Sequence, residues 1–242
     1  MEPAEYALMD AAEDRMWWYR ALHARLLDRL GPINGRVLDA GCGTGGFLAQ
    51  VKARWPHLQS IGLEYAEPAA IRARGKSQTP IARGSVNALP FMDGTFDAAV
   101  SADVLCHRAV DPAQALAELK RVLKPGGRLI VNMPAYTWML SAHDRRVHNV
   151  RRQTASQTAA MLHQAGFGKI RARYWNGLLL PLMAMQRKVL ATGDAESDVA
   201  PFPPWLDAIF HGITTAERRL PFPLPFGGSV LAIADKPKSG NL

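Results

Sequence analysis

The stretch Val37-Leu38-Asp39-Ala40-Gly41-Cys42-Gly43-Thr44-Gly45-Gly46-Phe47 restricts the possible folds more than any other. A short apolar run ends in an acid, and a glycine-dense turn then leads into a helical pattern, Phe47-Leu48-Ala49-Gln50-Val51-Lys52. Glycines are needed where backbone turns tightly and lets a ligand approach without a Cβ in the way. The amides that open the helix can donate to ligand oxygens. Gly41, Gly43 and Gly46 also satisfy the dinucleotide pattern G-x-G-x-x-G, which taken alone is weak because plain strand-to-helix connections match it too. Asp39 tilts the choice, since a carboxylate at the end of the strand faces a cationic ligand and repels a pyrophosphate.

The rest of the chain continues the alternation that this turn begins. Strands are expected at 36–40, 60–64, 80–83, 96–101, 128–133, 169–174 and 229–234, with helices at 46–54, 67–75, 111–123 and 154–165 between them. Such βα alternation specifies an α/β fold with a doubly wound, mostly parallel seven-stranded sheet and helices on both faces. Right-handed crossovers place the carboxyl ends of the parallel strands on one rim, where ligands of open α/β sheets sit. Residues 5–30 read as one helix before the sheet, and residues 176–220 fall outside the alternation. A length of 242 residues suits one domain with decoration. The expected division is an N-terminal lid helix at 1–31, a core at 32–175, a helical insertion at 176–226 and a last strand with tail at 227–242.

Composition narrows the partners less. An apolar fraction of 48% argues against global disorder. The net charge of +8 permits an anionic partner such as a phospholipid surface, nucleic acid or an acidic substrate. With only Cys42 and Cys106, neither a disulfide framework nor a zinc site is indicated. The segment Met1 to Glu5 lacks the apolar core of a signal peptide, and the apolar run Leu178 to Met185 is too short to span a membrane. A cytoplasmic protein is expected.

The string Leu38-Asp39-Ala40-Gly41-Cys42-Gly43-Thr44-Gly45 resembles motif I of the class I S-adenosylmethionine (SAM)-dependent methyltransferases, and later segments repeat the resemblance in order. It implies SAM as cofactor, with Asp39, Gly41, Cys42, Gly43, Thr44 and Gly45 around it. Glu64, at the end of the second strand, matches the family's acid for the ribose diol. Tyr65 matches the neighbour that packs on the adenine. After the third strand the family has an aspartate for the adenine amino group, and this chain has Ser85. The Val86 amide and the Asn87 side chain are then the expected adenine contacts. At the end of the fourth strand, Ser101, Ala102 and Asp103 are implied beside the methionine moiety, the Ser101 carbonyl meeting its ammonium, and His107 borders the acceptor pocket.

Acceptor residues are sought in two further places. Trp17 and Tyr19 belong to the aromatic segment Trp17-Trp18-Tyr19, whose alternatives are a lid over the acceptor or simple packing on the sheet. Residues 134–153 are polar, aromatic and basic, and carry Tyr136, His143, Asp144, His148, Arg151 and Arg152. His143 with Asp144 could form an oriented base, and Arg151 with Arg152 could clamp a carboxylate or phosphate. The bland alternative is a basic loop capping the pocket. A His/Asp/His metal site matches no firm ligand spacing, and no metal is expected. With Glu13-x-x-x-Trp17-Trp18-Tyr19, this cluster also resembles a bacterial subgroup of methyltransferases. The apolar stretch 178–190 could rest on a membrane surface, gate a greasy acceptor, be buried or form a homodimer interface. The expectation is methyl transfer to an oxygen or nitrogen atom of a small-molecule acceptor, lipid-like or anionic. A nucleic-acid partner is not expected, because no appended RNA-binding module is visible. The alternatives are an RNA methyltransferase and a non-catalytic scaffold subunit on the same fold.

Overall fold

The computed structural model describes residues 3–185 and 202–238. In chain order the helices are α1 (Pro3–Ala12), α2 (Trp17–Leu30), α3 (Gly46–Arg54), α4 (Glu67–Ser77), α5 (Pro112–Val122), α6 (Ala142–Arg146), α7 (Ala155–Gln164), α8 (Leu180–Met185) and α9 (Pro204–Arg218). The strands are β1 (Arg36–Ala40), β2 (Gln59–Glu64), β3 (Ile81–Arg83), β4 (Phe96–Ala102), β5 (Leu123–Pro134), β6 (Gly168–Trp175) and β7 (Ser229–Asp235). They form one seven-stranded sheet in the order β3-β2-β1-β4-β5-β7-β6. Pairings from β3 through β5 are parallel, while β7 runs antiparallel to both β5 and β6.

Period-two alternation along the strands divides the core between the two faces. Val37 joins Leu22 and Leu26 of α2 and Phe47 and Val51 of α3. Its neighbour Leu38 points the other way, into a cluster with Leu116 and Leu119 of α5 and Leu162 of α7. Local signals set the helix starts. Asp111 accepts hydrogen bonds from the amides of Ala113 and Gln114, with Pro112 at the first helical position. Thr154 and Gln157 form a capping box.

Two expectations need correction. The helix expected over 5–30 is two helices, because Glu13 turns inward and its buried carboxylate accepts bonds from Thr44 Oγ1 at 2.7 Å and from Lys76. A straight helix would leave that carboxylate in water. The segment between the helix expected at 111–123 and the strand expected at 128–133 lies inside β5, which begins at Leu123 and pairs with Phe96. Gly126, at φ +80°, absorbs the bend there.

α9 packs along α2, whose N-terminal turn reaches the carboxyl rim and, with α8, caps it. The Trp17 amide donates to Asp207 Oδ1 at 2.7 Å, and the buried Arg25 and Glu217 pair at 3.3 Å. Glu217 also accepts from the amides of Asn176, Gly177 and Leu178, which ties the chain after β6 to the end of α9. Within the apolar stretch, Leu179 is buried against Trp17 and Phe210, while Leu178, Leu182 and Met185 are exposed. Residues 186–190 and the acidic stretch Thr192–Val199 lie outside the described residues. No described helix is long and apolar enough to cross a membrane.

Candidate active site

In the sheet order, β1 lies between β2 and β4, so the connections from β1 and β4 leave toward opposite edges and a crevice opens at their carboxyl ends. A cavity of about 800 Å³ fills it, between the sheet rim and the cap. That volume is at the upper end of the range for small-molecule sites.

One half of the cavity is acidic. Asp39 ends β1 and is 3% exposed. No donor among the described residues reaches its carboxylate; burial above all, then Glu64 and Glu13, push its pKa up to about 8. A carboxylate held this way is poised for a cation, which would return it to the charged form. Glu64, across the turn, accepts from the Gly43 amide at 3.0 Å and the Ala66 amide at 2.9 Å. Its pKa is also raised, chiefly by burial. The turn itself is forced by packing. At Gly41 (φ +94°) a Cβ would lie 2.4 Å from Val104 Cγ2. The Gly41 and Cys42 amides donate to the Leu63 carbonyl, and the Gly45 amide to Cys42. The amides of Gly41, Cys42, Gly43 and Gly45 are therefore used within the fold. Thr44 is fully buried behind the turn and Gly45 sits over Ala73; neither lines the cavity.

Along the rest of this half, Tyr65 stands at the rim, 75% exposed, and Ser85 and Val86 line the wall. Asn87 does not. Its Nδ2 donates to the Ala109 carbonyl and its Oδ1 accepts from the Asp111 amide, so it braces the loop after β3 against the start of α5. Ala102 and Asp103 face the cavity, whereas Ser101 is buried one step beneath it. Asp103, at φ +54°, accepts from Asn132 Nδ2 with both oxygens at 3.0 Å, and burial raises its pKa to about 6.

The other half is aromatic and aliphatic, walled by Met16, Trp17, Trp18, Leu22, Met183 and Phe202, with Tyr19 and the histidines His23, His107, His143 and His148 among them. Trp17 packs edge-on against Phe210 at 5.6 Å, so it serves both packing and the cavity wall. Its buried indole N–H has no hydrogen-bond partner among the described residues. Burial lowers the pKa of His107 to about 4, which keeps its imidazole neutral at pH 7.

The basic cluster is resolved differently from its sequence-based expectation. Arg152 gives Asp144 a bidentate pair at 2.9 Å and donates to the Ala135 carbonyl at 3.1 Å; both side chains are buried. Asp144 also closes a capping box with Ser141. Arg151 donates to the His107 carbonyl. The two arginines therefore hold the loop, and no anion clamp forms. Tyr136 is stacked between Trp138 and Tyr174, at 5.7 and 5.4 Å, outside the cavity lining.

Sequence reasoning missed Tyr6 and Met9 of α1, which close the cavity from the N-terminal side. Burial and Glu64 raise the Tyr6 pKa to about 12. Neither residue carries a signal in the sequence beyond its place in a helix. Phe202 was likewise unassigned, whereas Met183 belongs to the apolar stretch 178–190 for which gating of an acceptor was one alternative.

Residues 38–131 match the methyltransferase-domain family. A demethylmenaquinone methyltransferase of Lactiplantibacillus plantarum is 32% identical over 177 residues, 59% of this chain and 74% of that protein. One from Thermus thermophilus is 41% identical over 132 residues, 51% of this chain and 56% of that protein. Of its first curated relatives the chain spans 39% of one and 56% of another. The crystal structure of a SAM-dependent methyltransferase from Thermotoga maritima superposes with a TM-score of 0.63 at 20% identity, covering 96% of this chain and 95% of that one.

Proposed function

Because this chain belongs to the class I SAM-dependent methyltransferases, we propose that it moves the methyl group of SAM to an oxygen or nitrogen atom of a small acceptor with an apolar body. The division of the cavity into an acidic half and an aromatic half carries this reading. SAM supplies a methyl group already activated on a sulfonium, which a nucleophile displaces in line. Asp39 and Glu64 would hold it, Asp39 through charge and Glu64 through the lone pairs left after its two backbone bonds. Asp103, Ser85, Val86 and Tyr65 complete that half.

On the acceptor side, Trp17, Trp18, Met183 and Phe202 exclude water and align the acceptor, and alignment alone is worth about 7 to 11 kcal/mol where it is good. Neutral His107, tied to the backbone of Val147 and Asp103, borders the acceptor side of the cavity. His143, in the same wall, accepts a hydrogen bond from the attacking hydroxyl or amine and takes its proton as the new bond forms. Three relatives are named demethylmenaquinone methyltransferase, so ring acceptors with an apolar tail come first among candidates. The test is transfer of label from methyl-labelled SAM to quinols, phenols and lipid extracts, with RNA as a separate arm. Label in RNA alone would refute the reading.

A further inference from the structure

A second concavity, of about 310 Å³, lies away from the active site on the sheet face that carries α2. Its floor is Leu231 and Ile233 of β7 with Arg171 and Arg173 of β6, which pair with them in register. One wall is the end of α2, with Arg25, Asp28 and Arg29, and the other is the segment Glu217 to Leu224. Arg171 and Arg173 are two residues apart on a strand, so both face this groove. Arg25 is spent on Glu217, and Arg218 lies 3.6 Å from Asp28. Arg29, Arg171 and Arg173 meet no carboxylate among the described residues. Three like charges in one groove repel each other until an anion arrives.

Beside these arginines the chain exposes apolar side chains that a monomer in water has no use for. Phe222 is 58% exposed and Phe226 is 42% exposed, on the proline-rich loop 220–226 that also walls the groove. The same loop packs on Gly177, where a Cβ would meet the Phe226 carbonyl and Leu224. The next residue, Leu178, and Leu182 one turn on are exposed as well. Met183 of that helix contacts Gly228 and lines the active-site cavity.

We propose that this face docks on an anionic phospholipid surface, with headgroup phosphates at Arg29, Arg171 and Arg173 and the side chains of Phe222, Phe226, Leu178 and Leu182 entering the interface. Basic residues beside exposed aromatic and aliphatic ones are the composition that such surfaces attract. A nucleic-acid partner fits less well, because the apolar flank would stay in water. Docking would set Met183 and the mouth of the cavity close to the lipid from which an apolar acceptor is drawn. That last step rests on the acceptor reading above; the docking does not.

The test is co-sedimentation of the full chain with vesicles of phosphatidylglycerol and phosphatidylcholine, against phosphatidylcholine alone, with single-stranded polyuridine as a competing anion. Binding is expected only where phosphatidylglycerol is present. The pair Arg171→Gln and Arg173→Gln should weaken it about 20-fold, at roughly fivefold for each arginine. Phe222→Asp should weaken it independently, and both variants should bind SAM as the parent does. Absence of binding to phosphatidylglycerol, or binding unchanged in the arginine pair, overturns the proposal. Loss of polyuridine binding in that pair, with vesicles ignored throughout, would make the groove a nucleic-acid surface instead. Vesicle binding combined with methyl transfer only to water-soluble polar acceptors would keep the docking and defeat the acceptor reading.

Discussion

Asp39 gives the sharpest test, because its burial makes stability and cofactor binding pull in opposite directions. The folded protein holds its proton up to about pH 8, whereas an ordinary aspartate releases it near 3.8. Between those values the folded state binds more protons than the unfolded chain, so this group makes stability fall as pH rises from about 4 to 8. A gap of about four pKa units at 1.36 kcal/mol each puts the loss at roughly 5 kcal/mol by pH 8. Asp39→Asn removes the charge and keeps the shape, but adds an amide N–H₂ without a designed partner, at a cost of about 1–3 kcal/mol. In the absence of SAM the variant should therefore be more stable by about 3 kcal/mol at pH 8. For a chain of this size that is a Tm rise of about 6 to 12 °C. The gain should shrink by about 1.4 kcal/mol for each pH unit below 8 and approach zero near pH 6. SAM affinity should move the other way, at least tenfold weaker, with loss of the proton release that accompanies binding to the parent. Thermal melts at several pH values and titration calorimetry in two buffers of different ionisation enthalpy read both effects. A variant that is less stable than the parent at pH 8, or that binds SAM equally well, would refute the account of Asp39 as a desolvated counter-charge.

Other outcomes follow from the same geometry. Glu64→Ala should weaken SAM binding tenfold or more by calorimetry, because it removes the acid proposed to hold the ribose and unties the Gly43 amide. Trp17→Phe keeps an aromatic ring against Phe210 and thins the wall of the cavity; KM for an acceptor with an apolar body should rise with kcat little changed, and an unchanged KM would remove Trp17 from the acceptor contacts. Arg152→Met takes the buried guanidinium away from Asp144 and should cost about 3–5 kcal/mol in urea unfolding, most of it recovered when Asp144→Leu is added. Lys76→Met strips Asp10 and Glu13 of their shared cation. SAM should then leave faster, since α1 and its Tyr6 and Met9 lose their hold over the cavity, and stopped-flow displacement measures it.

The alternation of strands and helices, the glycine turn and the acids at 39 and 64 were legible in the chain alone. Each is a local consequence of residue type: period-two burial in the strands, positive φ in the turn, a carboxylate at a strand end. The cofactor half of the site follows from them, because its residues sit at strand ends that the topology must bring to one rim. Asn87, Tyr136, Arg151 and Arg152 show where such reading stops. A polar side chain in a loop looks the same in sequence whether it meets a ligand or braces a neighbouring segment. Asn87 meets Ala109 and Asp111, and Arg152 meets Asp144 and Ala135, only once the chain has folded back. The inward turn of Glu13 is of the same kind, since it depends on Thr44 and on Lys76 of α4, far along the chain. Local pattern therefore determined the sheet and the two acids at its rim. Packing between distant segments decided the cap, the acceptor wall and the arginine groove, because desolvation and pairing of charge depend on neighbours that no stretch of sequence contains by itself.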